Sequence, residues 1–474
     1  MTITDILNFS TQRATGKLNS HFFRRVRLIG RSSKFLLIAL FTIVTIIVLN
    51  LSFSAPVRSE NAVKQNLTPK QLGKIIKKTE RSWEYDFEDY FRNDFKNFSR
   101  NEKQIAKQLT KLSKTTGTNP AVLWAVPTPD RLYLLLITPG SDPVIKSVRT
   151  ARGETLAKVV DSFDRSIRSS LETNSKAYLP SAKLLHKWLI EPIEPELKSA
   201  EIDTIMLCSG SGLRSLPFAA LYDGEQFLIE KYSLVRIPAF NLIDISYEPD
   251  QSEKMDVLAM GASVFTDLPP LPGVEVELST ITPKTLPGKA MLNRDFTVKN
   301  LREQHNENAY DLIHLATHAE FNPGKPQNSY IQFGDTKVSL DKIDRLGLND
   351  PPVDLLVLSA CQTAVGNKQA EFGFAGLTLQ AGVKAALASL WSIDDAGTVA
   401  LMSEFYQNLA SGEMKAQAIR EAQIAMLQGQ IYLDKDRLRS SRGSVDLPPT
   451  LVKKQYDLSH PFYWAGFSLI GNPW

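Results

Sequence analysis

Asp354 to Ala364 reads D-L-L-V-L-S-A-C-Q-T-A. Of the six residues after Asp354 all but Ser359 are apolar, the pattern of a strand buried on both faces. The run therefore predicts a strand that ends on Cys361. Open parallel α/β sheets build their active sites where strands give way to loops, which makes Cys361 a candidate nucleophile. Upstream, Asp311 to Glu320 repeats the arrangement as D-L-I-H-L-A-T-H-A-E, ending its strand on His318. In each stretch the reactive residue lies seven positions beyond the leading aspartate. Parallel neighbours of equal length would bring His318 and Cys361 out at equal height, one or two strand spacings of roughly 5 Å apart. A Cys/His dyad is the expectation, because a thiolate nucleophile needs a base or cationic partner. Gly366, Gly373 and Gly376 follow Cys361 within fifteen residues and give the next loop freedom to shape a cleft.

Other residues compete for these roles. His314 falls in the middle of its strand and reads as a satisfied core histidine. Asp311 and Asp354 stand about 23 Å from the strand ends, at the wrong edge for a triad, and read as caps on the strand starts. Asp394 and Asp395 follow the apolar run Ala385 to Leu390 and do lie at the catalytic end. They could orient His318 or bind a basic substrate side chain, although I-D-D-A-G from Ile393 also reads as a helix N-cap, the stronger reading. Cys208 closes another buried strand, Ile202 to Cys208, and reads as a small apolar strand-end residue.

The net charge of +4 over 474 residues is unevenly spread. Residues 1 to 34 carry seven Lys/Arg against Asp5, a net of +6, and the remaining residues carry 48 basic and 50 acidic side chains, a net of −2. The basic excess belongs to the arm, and nothing in the rest advertises nucleic-acid binding. Phe35 to Phe53 is a charge-free segment of 19 residues, about 28 Å long as a helix and close to a bilayer's hydrocarbon thickness of roughly 30 Å. It reads as a single transmembrane helix with the arm in the cytoplasm and the C-terminal part on the other side. The alternative is a signal peptide cleaved near Ser54, releasing a secreted chain. Two cysteines make no disulfide framework, no spacing resembles a zinc site, and no metal or cofactor is expected.

The rest divides into a lysine-rich helical linker, 54–118, and two α/β stretches, 119–250 and 251–474. In the linker Trp83, Phe87, Tyr90, Phe91, Phe95 and Phe98 recur at helical spacing. That stripe predicts a helix packed on the following domain. A helix that docks a separate recognition protein is the alternative. Ala121 to Val126 and Leu132 to Thr138 predict a hairpin, and Glu154 to Leu171 and Ser181 to Ile190 predict helices. From Met255 strand and helix alternate, arguing for a mostly parallel sheet flanked by helices. Asp434 to Thr450 predicts a mobile polar loop, and Phe462 to Ile470 an aromatic strand.

Taken together, H-L-A-T-H at His314 to His318, L-S-A-C-Q-T-A at Leu358 to Ala364 and G-L-R-S-L-P-F-A-A-L at Gly212 to Leu221 resemble the CHAT-domain family. A-S-L-W-S-I-D-D at Ala388 to Asp395 and H-P-F-Y-W-A-G-F at His460 to Phe467 add to the resemblance, which runs from about Asn119 to the C-terminus. The family comprises caspase-like and separase-like cysteine peptidases common in bacteria. The resemblance implies a catalytically silent first half and a caspase-like second half. It assigns Cys361 as nucleophile and His318 as general base and acid, with the backbone N–H groups of Cys361 and Ala319 forming an oxyanion hole. Related peptidases place glycine after this histidine, whereas this chain has Ala319, which tolerates fewer backbone conformations. Many members also carry tetratricopeptide repeats, which are lacking here. The expectation is a membrane-anchored cysteine endopeptidase acting on a protein or peptide substrate. Its rivals are a catalytically silent caspase-like interaction or signalling module, and a cysteine hydrolase of non-peptide esters or amides.

Overall fold

The structure, a computed structural model, describes residues 67–169, 175–247, 255–363, 367–452 and 457–474. The basic arm and the charge-free segment 35–53 lie outside the described residues. Among the described residues no helix is long and apolar enough to cross a membrane.

The sequence alternation produces one large sheet. In its first half β1 (Pro120–Pro127), β2 (Leu132–Ile137), β3 (Val144–Val148), β4 (Thr204–Ser209) and β5 (Ser233–Ile237) lie in the order β5-β4-β1-β2-β3. The second half contributes β6 (Val257–Gly261), β7 (Gly288–Leu292), β8 (Leu312–Phe321), β9 (Tyr330–Gln332), β10 (Lys337–Ser339), β11 (Leu355–Thr363) and β12 (Ala385–Ser389). Their order is β10-β9-β8-β11-β12, with β6 also paired to β8 and β7 paired in turn to β6. Three further strands, β13 (Tyr432–Asp434), β14 (Arg437–Ser440) and β15 (Gly443–Asp446), form a separate antiparallel sheet where a mobile loop was expected. The charged, turn-rich composition that suggested a loop belongs to short exposed strands whose pairing no local pattern announces.

The last strand, β16 (Phe467–Gly471), joins the halves. It pairs antiparallel with β12 and parallel with β5. The expected aromatic strand begins later than its composition suggested, because Pro461–Trp464 forms a helical turn first. Pairing between β1 and β4, β4 and β5, β6 and β8, β8 and β11, and β11 and β12 is parallel. The sheet is thus mostly parallel, with helices packed on it.

Helix α1 (Pro69–Phe91) starts on Thr68, whose side chain accepts from Gln71 N in a capping box, and stops where Arg92 turns left-handed. The aromatic stripe accordingly splits. Trp83, Phe87 and Phe91 are buried, as the packing reading expected, whereas Phe95 and Phe98 lie past the helix end. Helix α2 (Glu102–Thr116) follows. The site is framed by α3 (Val274–Ile281), α4 (Lys368–Ala375) and α5 (Asp395–Ala410).

Candidate active site

Parallel pairing of β8 with β11 begins in the register the sequence suggested, Leu355 opposite Leu312 and Leu358 opposite Leu315. It then shifts. Ala360 faces His318 and Cys361 faces Ala319, so β8 carries one extra residue between Leu315 and His318. The expectation of equal height is corrected by one residue, about 3.3 Å along a strand. The cause is a bulge: the Ala316 carbonyl accepts from Ala262 N at 3.2 Å and the buried Thr317 hydroxyl donates to Gln332 O at 2.6 Å. Gly261 permits this approach, because a Cβ there would collide with the Ala316 carbonyl. Neither residue ends its strand. His318 is seventh of ten residues in β8 and Cys361 seventh of nine in β11, since pairing with β9 and β11 prolongs both.

The His318 ring is partly exposed, and its Nε2 lies 2.8 Å from the Pro269 carbonyl. A carbonyl only accepts, so Nε2 carries the hydrogen and Nδ1 keeps the lone pair of the neutral ring. Phe265 meets the imidazole edge-to-face at 4.8 Å between centroids, and Val264 beside it is exposed. Both belong to the loop between β6 and α3. That loop is tied at its far end, where Gly273 N donates to Asp395 Oδ2 at 2.7 Å. Burial pushes the Asp395 carboxyl above its ordinary range, opposed by the Gly273 N–H, reinforced by Glu277 and Asp394, and opposed again by His318. Asp394 caps α5, accepting from Gly397 N at 2.9 Å, which bears out the capping reading.

Behind the bulge lies a buried polar cluster. Glu277 on α3 accepts from the Ser359 hydroxyl at 3.3 Å and comes within 3.2 Å of His314 Nε2. His314 Nδ1 is 2.9 Å from the Tyr406 hydroxyl. His314 is fully buried and partnered, the core histidine that its position suggested. The leading aspartates hold the strand starts: Asp311 accepts from Asp256 N at 3.0 Å, and Asp354 pairs with buried Lys415 at 2.6 Å and with Lys384 at 3.2 Å. Cys208 is fully buried, and burial, reinforced by Glu80, pushes its thiol well above its ordinary value against a backbone N–H of Phe240. It is not an activated thiol.

Sequence reasoning did not single out the Pro269 carbonyl, Glu277, Tyr406 or Glu371. Glu371 is fully buried on α4, the helix that follows the Cys361 loop. It accepts from Gly212 N and from the Ser215 hydroxyl, both at 2.9 Å, and so binds the G-L-R-S segment of the first half to the second. An acidic residue on the apolar face of a short helix was the available signal. Ala319 is buried and stays out of the left-handed region, so its backbone makes no demand for glycine.

A family model of the CHAT domain matches residues 179–472. Among solved structures the chain is similar to the Saccharomyces cerevisiae separase–securin complex, in crystal structures at 2.6 Å and 3.0 Å resolution. Identity is 11% and 12%, the TM-score is 0.49 in both, and 85% of this chain and 34% of that chain are covered. It is also similar to the Arg-specific cysteine proteinase gingipain R, at 11% identity and a TM-score of 0.36, covering 68% of this chain and 75% of that one. The chain spans about a third of the separase chain it matches. A search of the curated proteins found no match.

Proposed function

From the premise that the chain belongs to the CHAT domain family, we propose that it is a membrane-anchored cysteine endopeptidase that works through Cys361 and His318. The observation that carries the reading is the neighbouring, parallel placement of β8 and β11, with Cys361 one residue out of register from a histidine whose Nε2 is committed to the Pro269 carbonyl. His318 Nδ1 takes the Cys361 thiol proton, and the thiolate sulfur adds to the scissile carbonyl. The oxyanion is received by the backbone N–H groups of Cys361 and Ala319. Collapse of the adduct breaks the C–N bond, and the imidazolium gives its proton to the departing amine. Water, deprotonated by His318, then hydrolyses the thioester and returns the thiol.

Asp395, beside the histidine loop, and Asp394, at the cap of α5, are the acidic groups for a basic substrate side chain. The charge-free segment 35–53 behind a net +6 arm supports a single span with the catalytic body on the non-cytoplasmic side.

The test is covalent labelling of the full chain with a panel of peptide electrophiles of varied side chain, mapped by mass spectrometry. Sequence-dependent labelling of Cys361, lost in Cys361→Ala and strongly slowed in His318→Ala, is the expected result. Labelling of neither thiol in the native protein would favour the non-catalytic module instead.

A further inference from the structure

With the aromatic face of α1 buried, what the linker presents outward is charge. Lys70, Lys74, Lys77 and Arg81 recur at helical spacing along α1, and Lys103, Lys107, Lys111 and Lys114 recur the same way along α2. All eight are exposed. Among the described residues none of them makes an ion pair. The two helices approach each other where they begin, Gly73 packing so closely on the Glu102 carboxylate that a Cβ there would collide. Lys70 and Lys77 stand one turn to either side of Gly73 on that face.

Beside α2 the lysines line a groove of about 630 Å³ against the turn Gly140–Pro143, with Ala106 among its apolar lining and Glu102 and Asp142 its two acids. Charge along α1 is polarised. Its cations lie in the part up to Arg81, and Glu84, Asp86, Glu88 and Asp89 occupy the remainder. The basic end is the one that follows the charge-free segment. Residues 54–66 separate that segment from Leu67 and reach at most about 45 Å when extended.

We propose that the basic face of α1 and α2 docks on an anionic bilayer surface, phosphate headgroups meeting the ammonium groups while lysine stems and the groove floor meet the headgroup–acyl boundary. The charge is complementary, and the covalent link keeps the face within reach of the membrane in which residues 35–53 are proposed to sit. The remainder of the body, net acidic, is turned away from such a surface, which orients the catalytic cleft. This rests on the anchored reading only for its proximity, and the two fail separately.

The experiment reconstitutes the full chain with vesicles of phosphatidylcholine alone and of phosphatidylcholine containing phosphatidylglycerol. Lysines are then acetylated with an amine-reactive ester and quantified by mass spectrometry. In the anionic vesicles Lys103, Lys107, Lys111 and Lys114 should label about five-fold more slowly. High salt should restore their rate, and the exposed Lys284 and Lys325 should not change. The quadruple variant Lys103→Gln, Lys107→Gln, Lys111→Gln, Lys114→Gln should lose the salt-sensitive protection of Lys70, Lys74 and Lys77. Equal labelling in the two vesicle types overturns the proposal. So does protection of the same lysines in phosphatidylcholine by an acidic polypeptide or single-stranded nucleic acid with none from the anionic lipid. Anchoring is read independently by flotation at high salt with phosphatidylcholine alone: a chain that stays behind there yet is protected by anionic vesicles is docked without being anchored.

Discussion

His318 owes its tautomer to a carbonyl that no side-chain motif could reveal. Pro269 O fixes the tautomer by accepting from Nε2, and Asp395 fixes Pro269's loop by accepting from Gly273 N. Asp395 therefore acts on the histidine in two separable ways, as a strap and as a charge. Asp395→Ala, which removes both, should lower kcat by about 10- to 100-fold, the scale of a small misplacement of catalytic groups. Asp395→Asn keeps an oxygen for Gly273 N and should recover most of the loss. Steady-state kinetics on a cleavable peptide carrying the sequence preferred in the electrophile panel decide it; equal loss in both variants would assign the effect to charge rather than to the strap. The seven-residue spacing identified two strands that do pair side by side in parallel. It missed the one-residue offset because the bulge depends on Ala262 and Gln332, partners supplied by β6 and β9 that are invisible in the local pattern.

At the scale of elements, α1 was legible as a packed helix from its aromatic spacing, but its buried acid was not. Glu80 sits among the aromatics, accepting from the Trp124 indole N–H and from Asn241 N. Burial raises its carboxyl from 4.5 to about 7, outweighing both donors. The folded state therefore holds a proton through a window in which the unfolded chain has lost it. The stabilisation is complete below pH 4.5 and disappears as the pH rises to about 7. It amounts to about 3 kcal/mol. Glu80→Gln cannot titrate, so thermal melts of the wild type and the variant should diverge between these limits, the wild type losing stability relative to the variant as pH rises. Parallel profiles would show that Glu80 ionises freely. The meander β13–β15 was misread for the opposite reason: its residues are polar and its strands short, so nothing in the composition separates it from a loop.

The described residues are built around one large sheet spread across two stretches of sequence that read as separate halves. Strand alternation predicted the parallel core, but the sequence could not show that β16 is inserted between β12 and β5 rather than laid on an edge. Leu469 on β16 is buried, with Leu387 as register partner on one side and Val235 on the other. Leu469→Ala should cost about 2–5 kcal/mol, and amide exchange should show β4 and β11 losing protection together. Loss confined to one side would mean that the halves fold independently. The placement of β16 also has a biosynthetic consequence. Val235 and Leu469 lie more than two hundred residues apart, so a nascent chain emerging from the ribosome or a translocation channel holds two unfinished half-sheets, each with an open edge at β5 or β12. Such edges invite pairing with other chains until the chain through Gly471 is available to close the sheet. A peptidase of the kind proposed, assembled that way, would be born inactive and become competent only when its sheet is closed.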